Sequence, residues 1–263
     1  MPEFVHVAVD GGIANVNIDR PDLHNAFNEV VIRELTAAMN DVGADDAVRV
    51  AILRTSGRSF CAGADIHWMK RMVDYSVEEN IADATEMAQM LRAIRECAKP
   101  VIARVHGACI GGGVGLAAAC DVAVAVKDAV FCLSEVKLGI LPAVISPYVL
   151  EKIGPGHMRR YAVTAERFDG EEAKRIGLVS DCVADEAALD AWVARVAKIT
   201  MGNGPQAVAA CKRVLQEVNA APGWNDKQRI TVQYIAERRV SAEGQDGLKA
   251  FLEKRKPAWV TEA

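Results

Sequence analysis

The chain has 263 residues, 51% hydrophobic and 25% charged, which is enough to bury a sizeable core in one large domain and too apolar for a disordered chain. A formal net charge of −4 gives no electrostatic case for a nucleic-acid partner, and no apolar run reaches the roughly 18 residues that a membrane span needs. The seven cysteines are odd in number, widely spaced and without a Cys-x-x-Cys pair, and the first residues lack a basic-then-apolar leader pattern. The expectation is a cytoplasmic protein with reduced thiols and no signal peptide.

In chain order, residues 5–10 and 13–18 alternate apolar and polar around Gly11-Gly12, which predicts a β-hairpin. Arg20-Pro21-Asp22 breaks into a loop, and Val31, Leu35, Ala38, Met39 and Val42 then mark an amphipathic helix. A short strand is predicted over 48–53, then a small-residue loop over 55–64, with Asp65 positioned to cap the helix that follows. Met87, Met90, Leu91, Ile94 and Ala98 mark a long helix that must end before Pro100. The strand over 101–105 is read as emptying through Gly107 and the triplet Gly111-Gly112-Gly113 into a small-residue helix. Short strands over 122–126 and 130–133, a break over 139–142 and mixed helices to about Thr164 come next. A last strand lies near 179–183, and helices fill the remainder. No sequence repeat shows a fixed period. The MGNGP interruption near Thr200 divides a core, 1–199, from a helical region, 200–263, apolar enough to need a partner surface.

A strand that passes through glycines into a helix N-terminus exposes free backbone N–H groups, an anion-binding arrangement. A phosphate loop is excluded because the lysine and hydroxyl are missing after Gly112, where Gly113 and Val114 stand instead. The dinucleotide pattern fails because Gly111-x-Gly113 is followed by Leu116. A second loop of the same kind, 60–65, also enters a helix. Two such turns can each supply one donor to a single oxygen, an oxyanion hole, or both can be merely tight turns; spacing leaves the two readings level.

Phe60-Cys61-Ala62-Gly63-Ala64-Asp65-Ile66, His106-Gly107 with the triplet, and Ser134-Glu135 followed by Leu138-Gly139-Ile140-Leu141-Pro142 resemble the crotonase superfamily, the enoyl-CoA hydratase/isomerase family. The likeness runs from Arg20-Pro21 with Asn25-Ala26 to the tail Phe251-Leu252-Glu253-Lys254-Arg255. It implies an α/β fold, a spiral of ββα units with a C-terminal helical region that packs into trimers, often paired into hexamers. It implies an acyl-CoA substrate, coenzyme A being part of that substrate and no separate cofactor. By motif, the N–H groups of Ala64 and Gly112 would hold the thioester oxygen. His24, Asn25, Ala26 and the backbone at Ala62, Asp65 and Ile66 would line the CoA site, with Phe251 and Lys254 reaching it from the tail of a neighbouring subunit.

Hydratases of this family use two glutamates. One maps to Glu135; the other position is Gly115 here. A helical glycine costs about 1 kcal/mol relative to alanine, so Gly115 serves either close packing of helix against strand or space for substrate or water. One carboxylate suffices for an isomerase's proton shuttle, and hydration normally wants a second group to orient the water. The segments 134–139 and 142–148 and the tail 240–245 resemble bacterial 3-methylglutaconyl-CoA and isohexenylglutaconyl-CoA hydratases, associated with leucine and acyclic terpene catabolism. This favours a hydratase whose substrate carries a second carboxylate near Gly115, with a Δ3–Δ2 enoyl-CoA isomerase or an inactive acyl-CoA binder as alternatives. Glu135 would want its pKa raised by apolar neighbours, for which Phe131, Leu133 and Leu141 are candidates. The five histidines show no ligand spacing, so no metal site is expected. His106 reads as structural, His67, Trp68 and Met69 as a wall of the acyl pocket, and Cys61 as small filler rather than a nucleophile.

Overall fold

The computed structural model describes residues 2–260. Its strands are β1 (Val5–Asp10), β2 (Ile13–Ile18), β3 (Val50–Thr55), β4 (Val101–Val105), β5 (Ala108–Ile110), β6 (Val122–Val126), β7 (Val130–Cys132) and β8 (Asp181–Val183). The helices are α1 (Glu29–Ala44), α2 (Ile66–Met72), α3 (Val77–Glu96), α4 (Gly112–Ala119), α5 (Ser146–Thr164), α6 (Gly170–Arg175), α7 (Glu186–Met201), α8 (Pro205–Ala220), α9 (Trp224–Val240) and α10 (Ala242–Leu252).

The main sheet has six strands in the order β1-β2-β3-β4-β6-β8. Only the expected hairpin is antiparallel; every other neighbour is parallel. Gly11 (φ +53°) and Gly12 (φ +85°) give the hairpin the two left-handed residues of a type I′ turn. Strand β3 begins two residues later than predicted because its ladder with β2 runs from Ile13↔Val50 to Ile18↔Thr55. Strand β4 is buried at every position, as a central parallel strand covered on both faces must be.

The chain does not run from β4 straight into the glycine turn, as the sequence suggests. Gly107 (φ +57°) turns it first, so close to the neighbouring loop that a Cβ there would lie 2.0 Å from the Arg58 carbonyl oxygen. The next three residues form β5, paired in parallel with β7 in a second, small sheet. Isolated bridges Cys61↔Cys109 and Phe131↔Phe168 extend that sheet on both sides. Each passage of the chain thus gives one strand to the main sheet, one position to the small sheet, and then a helix. These units are β3, Cys61 and α2–α3; then β4, β5 and α4; then β6, β7 and α5. The repeat lives in the pairing, which is why the sequence shows no period.

Caps start the helices where the sequence offers them. Asn28, Asp65, Asp185 and Ser241 each accept from first-turn N–H groups, and Ser76 with Glu79 closes a full capping box. Helix α4 is buried on all sides, as its glycines and alanines allow. Gly154 (φ +71°) kinks α5 just before Pro155. Arg104 on β4 is buried and reaches α7, 2.6 Å from Asp190 and 3.0 Å from Glu186. Helices α8 to α10 pack chiefly on one another, and α9 has no buried residue. No helix among the described residues is long and apolar enough to cross a membrane.

Candidate active site

The two small-residue loops lie side by side. Cys61 N–H donates to the Ala108 carbonyl and Ile110 N–H donates to the Cys61 carbonyl, each at 2.9 Å. Glycines permit the contact: a Cβ on Gly63 would sit 3.3 Å from the Ile110 carbonyl oxygen, and one on Gly113 would sit 2.7 Å from that of Cys61. Around Ala64 the pairing skips one donor. Phe27 N–H bonds the Gly63 carbonyl and Asp65 N–H bonds the Phe27 carbonyl, both at 3.0 Å. Among the described residues, neither Ala64 N–H nor Gly112 N–H donates to any carbonyl or side chain. Gly112 opens α4, where an unpaired N–H is intrinsic to a helix start.

A carboxylate borders the residue before Gly112. A Cβ on Gly111 would lie 3.1 Å from Glu135 Oε1 and 3.7 Å from Ser134 Oγ. Glu135 Oε2 is buried and has no hydrogen-bond partner. Burial raises the Glu135 carboxyl above the ordinary glutamate value, only partly opposed by its own backbone N–H. Phe131 and Leu133 are buried as expected, but Leu141 is 69% exposed and does not shield it; the break after Gly139 carries Leu141 outward. The arrangement therefore offers two free N–H groups for developing negative charge and one carboxylate poised to carry a proton.

The supporting loop is held from within. His24 and Asn25 take left-handed backbone (φ +51° and +55°). The buried Asn25 side chain accepts from Arg20 N–H and donates to the Ser56 and Ser59 carbonyls. The His24 carbonyl accepts from Ala62 N–H at 3.0 Å, and its ring meets Ser59 Oγ at 3.0 Å. Asp65 caps α2 as predicted, accepting from His67 and Trp68 N–H, while Arg20 lies 2.6 Å from its other oxygen and also donates to the Ala26 carbonyl. Burial by itself would raise the Asp65 carboxyl; contact with Arg20 and the two N–H groups hold it below the usual range instead. His106 behaves as a structural residue: its Nδ1 accepts from Arg104 at 3.2 Å and its Nε2–H donates to the Gly57 carbonyl at 2.9 Å.

Residues 8–262 match the family described as enoyl-CoA hydratase/isomerase. The chain belongs to this family. Among solved structures, an enoyl-CoA hydratase from Shewanella pealeana is 39% identical, with a TM-score of 0.94 over 98% of this chain and 96% of that one. AtuE of Pseudomonas aeruginosa is 36% identical, also at 0.94, covering 98% of this chain and 100% of its own. A peroxisomal Δ(3,5)-Δ(2,4)-dienoyl-CoA isomerase from Arabidopsis thaliana is 32% identical over 97% of this chain and 95% of its own. The α/β architecture with its parallel sheet and helical C-terminal region is that of these enoyl-CoA hydratase/isomerase relatives.

The structure corrects the expected surroundings of Gly115. Gly115 leaves no space for substrate or water: a Cβ there would meet Ile145 Cγ2 at 2.3 Å and Leu91 Cδ2 at 3.7 Å. The packing is of α4 against α3 and Ile145, the residue that precedes α5, not against a strand. Any carboxylate reaching toward Gly115 would have to displace the buried Ile145. Cys61 is fully buried, as expected of small filler, and burial pushes its thiol up to about 12. Of the three residues expected to wall the acyl pocket, Trp68 is buried and His67 exposed, with Met69 between. Ile66 is 69% exposed beside the loop, whereas Ala26 is buried. Phe251 and Lys254 lie at the far end of α10, Phe251 83% exposed, and among the described residues no hydrogen bond or ion pair ties either to the site loops.

Sequence reasoning missed the lining of Gly112. A Cβ there would lie 2.2 Å from Phe27 Cζ and 3.0 Å from Met87 Cε. Phe27 pairs with Trp68 at a ring-centroid distance of 6.2 Å, and Trp68 Nε1–H donates to Asp83 at 3.0 Å. The only available signal was helical spacing, since Asp83, Met87 and Leu91 lie four residues apart on one face of α3.

Proposed function

We propose that the protein is an enoyl-CoA hydratase that adds water across the α,β-double bond of an acyl-CoA thioester. A branched glutaconyl-CoA such as 3-methylglutaconyl-CoA is the substrate the sequence resemblance favours. The observation that carries the reading is a pair of unpartnered N–H groups, Ala64 and Gly112, on two hydrogen-bonded loops, with the half-buried Glu135 beside the second of them. The N–H pair stabilises the thioester enolate as negative charge develops on oxygen. Glu135 accepts the proton from water and delivers one to the α-carbon. With Gly115 packed under Ile145, the substrate's own second carboxylate cannot sit at that glycine, so the water must be oriented from elsewhere.

The same packing favours a second reading, a double-bond isomerase in which Glu135 alone moves a proton between carbons. The dienoyl-CoA isomerase among the relatives supports this alternative. Incubation with 3-methylglutaconyl-CoA and crotonyl-CoA in H₂¹⁸O separates the two. A hydratase yields a 3-hydroxyacyl product carrying the label; an isomerase yields unlabelled product; an inactive acyl-CoA binder yields none.

In the same proposal the C-terminal region, 200–263, serves trimer or hexamer assembly and completes the CoA site with Phe251 and Lys254 from a neighbouring subunit. Exposed apolar side chains on α8 to α10, among them Leu215, Val232, Ile235, Leu248 and Leu252, support it. Seven free cysteines, five of them buried, suit a reducing cytoplasm.

A further inference from the structure

A single carboxylate must take a proton from water while something else holds that water with a lone pair toward the β-carbon. Helix α4 cannot supply the holder, because Ile145 occupies the space above Gly115. The structure offers another polar side chain, next to Glu135 at the glycine turn. Ser134 Oγ and Glu135 Oε1 both border the α-carbon of Gly111, at 3.7 and 3.1 Å from where its Cβ would lie. The next peptide is the one whose N–H, at Gly112, is free.

Local structure does not account for this serine. It stands at the N-cap of the one-turn 3-10 helix Glu135–Leu138, where a serine ordinarily accepts from a backbone N–H, yet it makes no side-chain cap bond. Among the described residues its hydroxyl has no hydrogen-bond partner, and the residue is only half-buried, open to water or ligand. The hydroxyl is thus free, accessible and adjacent to the proton carrier.

We infer that Ser134 is the second water-holding group of the site, replacing the carboxylate that Gly115 lacks. This rests on the hydratase reading above. The attacking water donates one O–H to Glu135 Oε1 and the other to Ser134 Oγ, which leaves a lone pair for the β-carbon. As the new C–O bond forms, the water proton passes to Glu135 and the C=C electron pair moves onto the thioester oxygen, held by Ala64 and Gly112. Glu135 then returns a proton to the α-carbon, so H and OH are added and the carboxylate is regenerated.

The test compares two reactions of the full-length enzyme. Hydration of 3-methylglutaconyl-CoA needs the held water; exchange of the α-proton of a saturated acyl-CoA with D₂O needs only the N–H pair and Glu135. Ser134→Ala is expected to lower the hydration kcat by roughly 10- to 100-fold, the scale of losing one positioning contact, with KM and α-proton exchange nearly unchanged. Ser134→Thr, which keeps the hydroxyl, is expected to restore most of the rate. Equal loss of both reactions would mean that Ser134 merely supports Glu135, and full retention of hydration would mean that it does nothing; either overturns the assignment. A wild-type enzyme that exchanges but never hydrates overturns the hydratase reading itself, and the role of Ser134 with it.

Discussion

At the scale of single residues, Glu135 carries two measurable consequences of one burial. Its carboxyl is raised above the ordinary value of 4.5 by desolvation, so the acid limb of kcat/KM, where the base becomes protonated and activity falls, is expected above the range of an exposed glutamate. Stability has the opposite sign. A raised folded pKa contributes stability below the unfolded pKa, and that contribution is lost as pH rises through the folded value. Glu135→Gln removes the ionisation, so it should lower kcat by roughly 10²–10⁴ while melting no lower than wild type at pH 7. That advantage should shrink as the pH is taken down toward the ordinary carboxylate range. Thermal melts of both proteins at the two ends of that range check it; a variant less stable at pH 7 contradicts it. The positions of Glu135 and of the two unpartnered N–H groups, at Ala64 and Gly112, were legible in the sequence through motif. The meaning of Gly115 was not, because the side chain that fills its space, Ile145, is thirty residues away and nothing local announces it.

At the scale of elements, an ion pair ties the supporting loop to the site. Arg20 holds the supporting loop to the start of α2 through Asp65, whose side chain is only 3% exposed and which also caps that helix. Removing one partner of a buried pair leaves the other uncompensated, typically at a cost of about 3–5 kcal/mol. Asp65→Ala should approach that loss in denaturant melts, whereas Asp65→Asn, which keeps the cap acceptor, should lose less. Equal effects would place all the energy in the charge. The carboxyl is held low in the fold, so its contribution is present above the unfolded pKa and fades as pH falls through the folded one. The cap at Asp65 and the hairpin were readable because both are local patterns, one oxygen before a helix and alternation around two glycines. Strand β5 was not readable. Three residues between glycines carry no periodicity, and what makes them a strand is pairing with Cys61 on one side and β7 on the other.

At the scale of the whole molecule, the uneven distribution of burial is the main clue. The central strand β4 and α4 are buried throughout, yet α9 buries nothing and Phe251 and Trp224 are more than 80% exposed. An apolar surface of that kind implies a covering partner. Light scattering is expected to return three or six times the 28.3 kDa chain mass; a stable monomer would remove the proposed role of the tail in completing the CoA site. In the sequence, the MGNGP interruption marks where helices lose their link to the strand pattern. Which faces would be covered was beyond it, since amphipathic periodicity looks alike whether the partner is a chain's own core or another copy.

The cross-links between the two loops also bear on how such a site can diversify. Main-chain hydrogen bonds between Cys61 and β5 set the separation of the two donors, and no side chain takes part in them. Phe27, Trp68, Met87 and Ile145, which crowd the surrounding space, can therefore be exchanged by mutation without moving the donors. On the proposed function, exchanges in those walls would retune which acyl group fits and leave the two N–H groups in place. The glycines at 63, 111, 112 and 113 are the positions where that freedom stops.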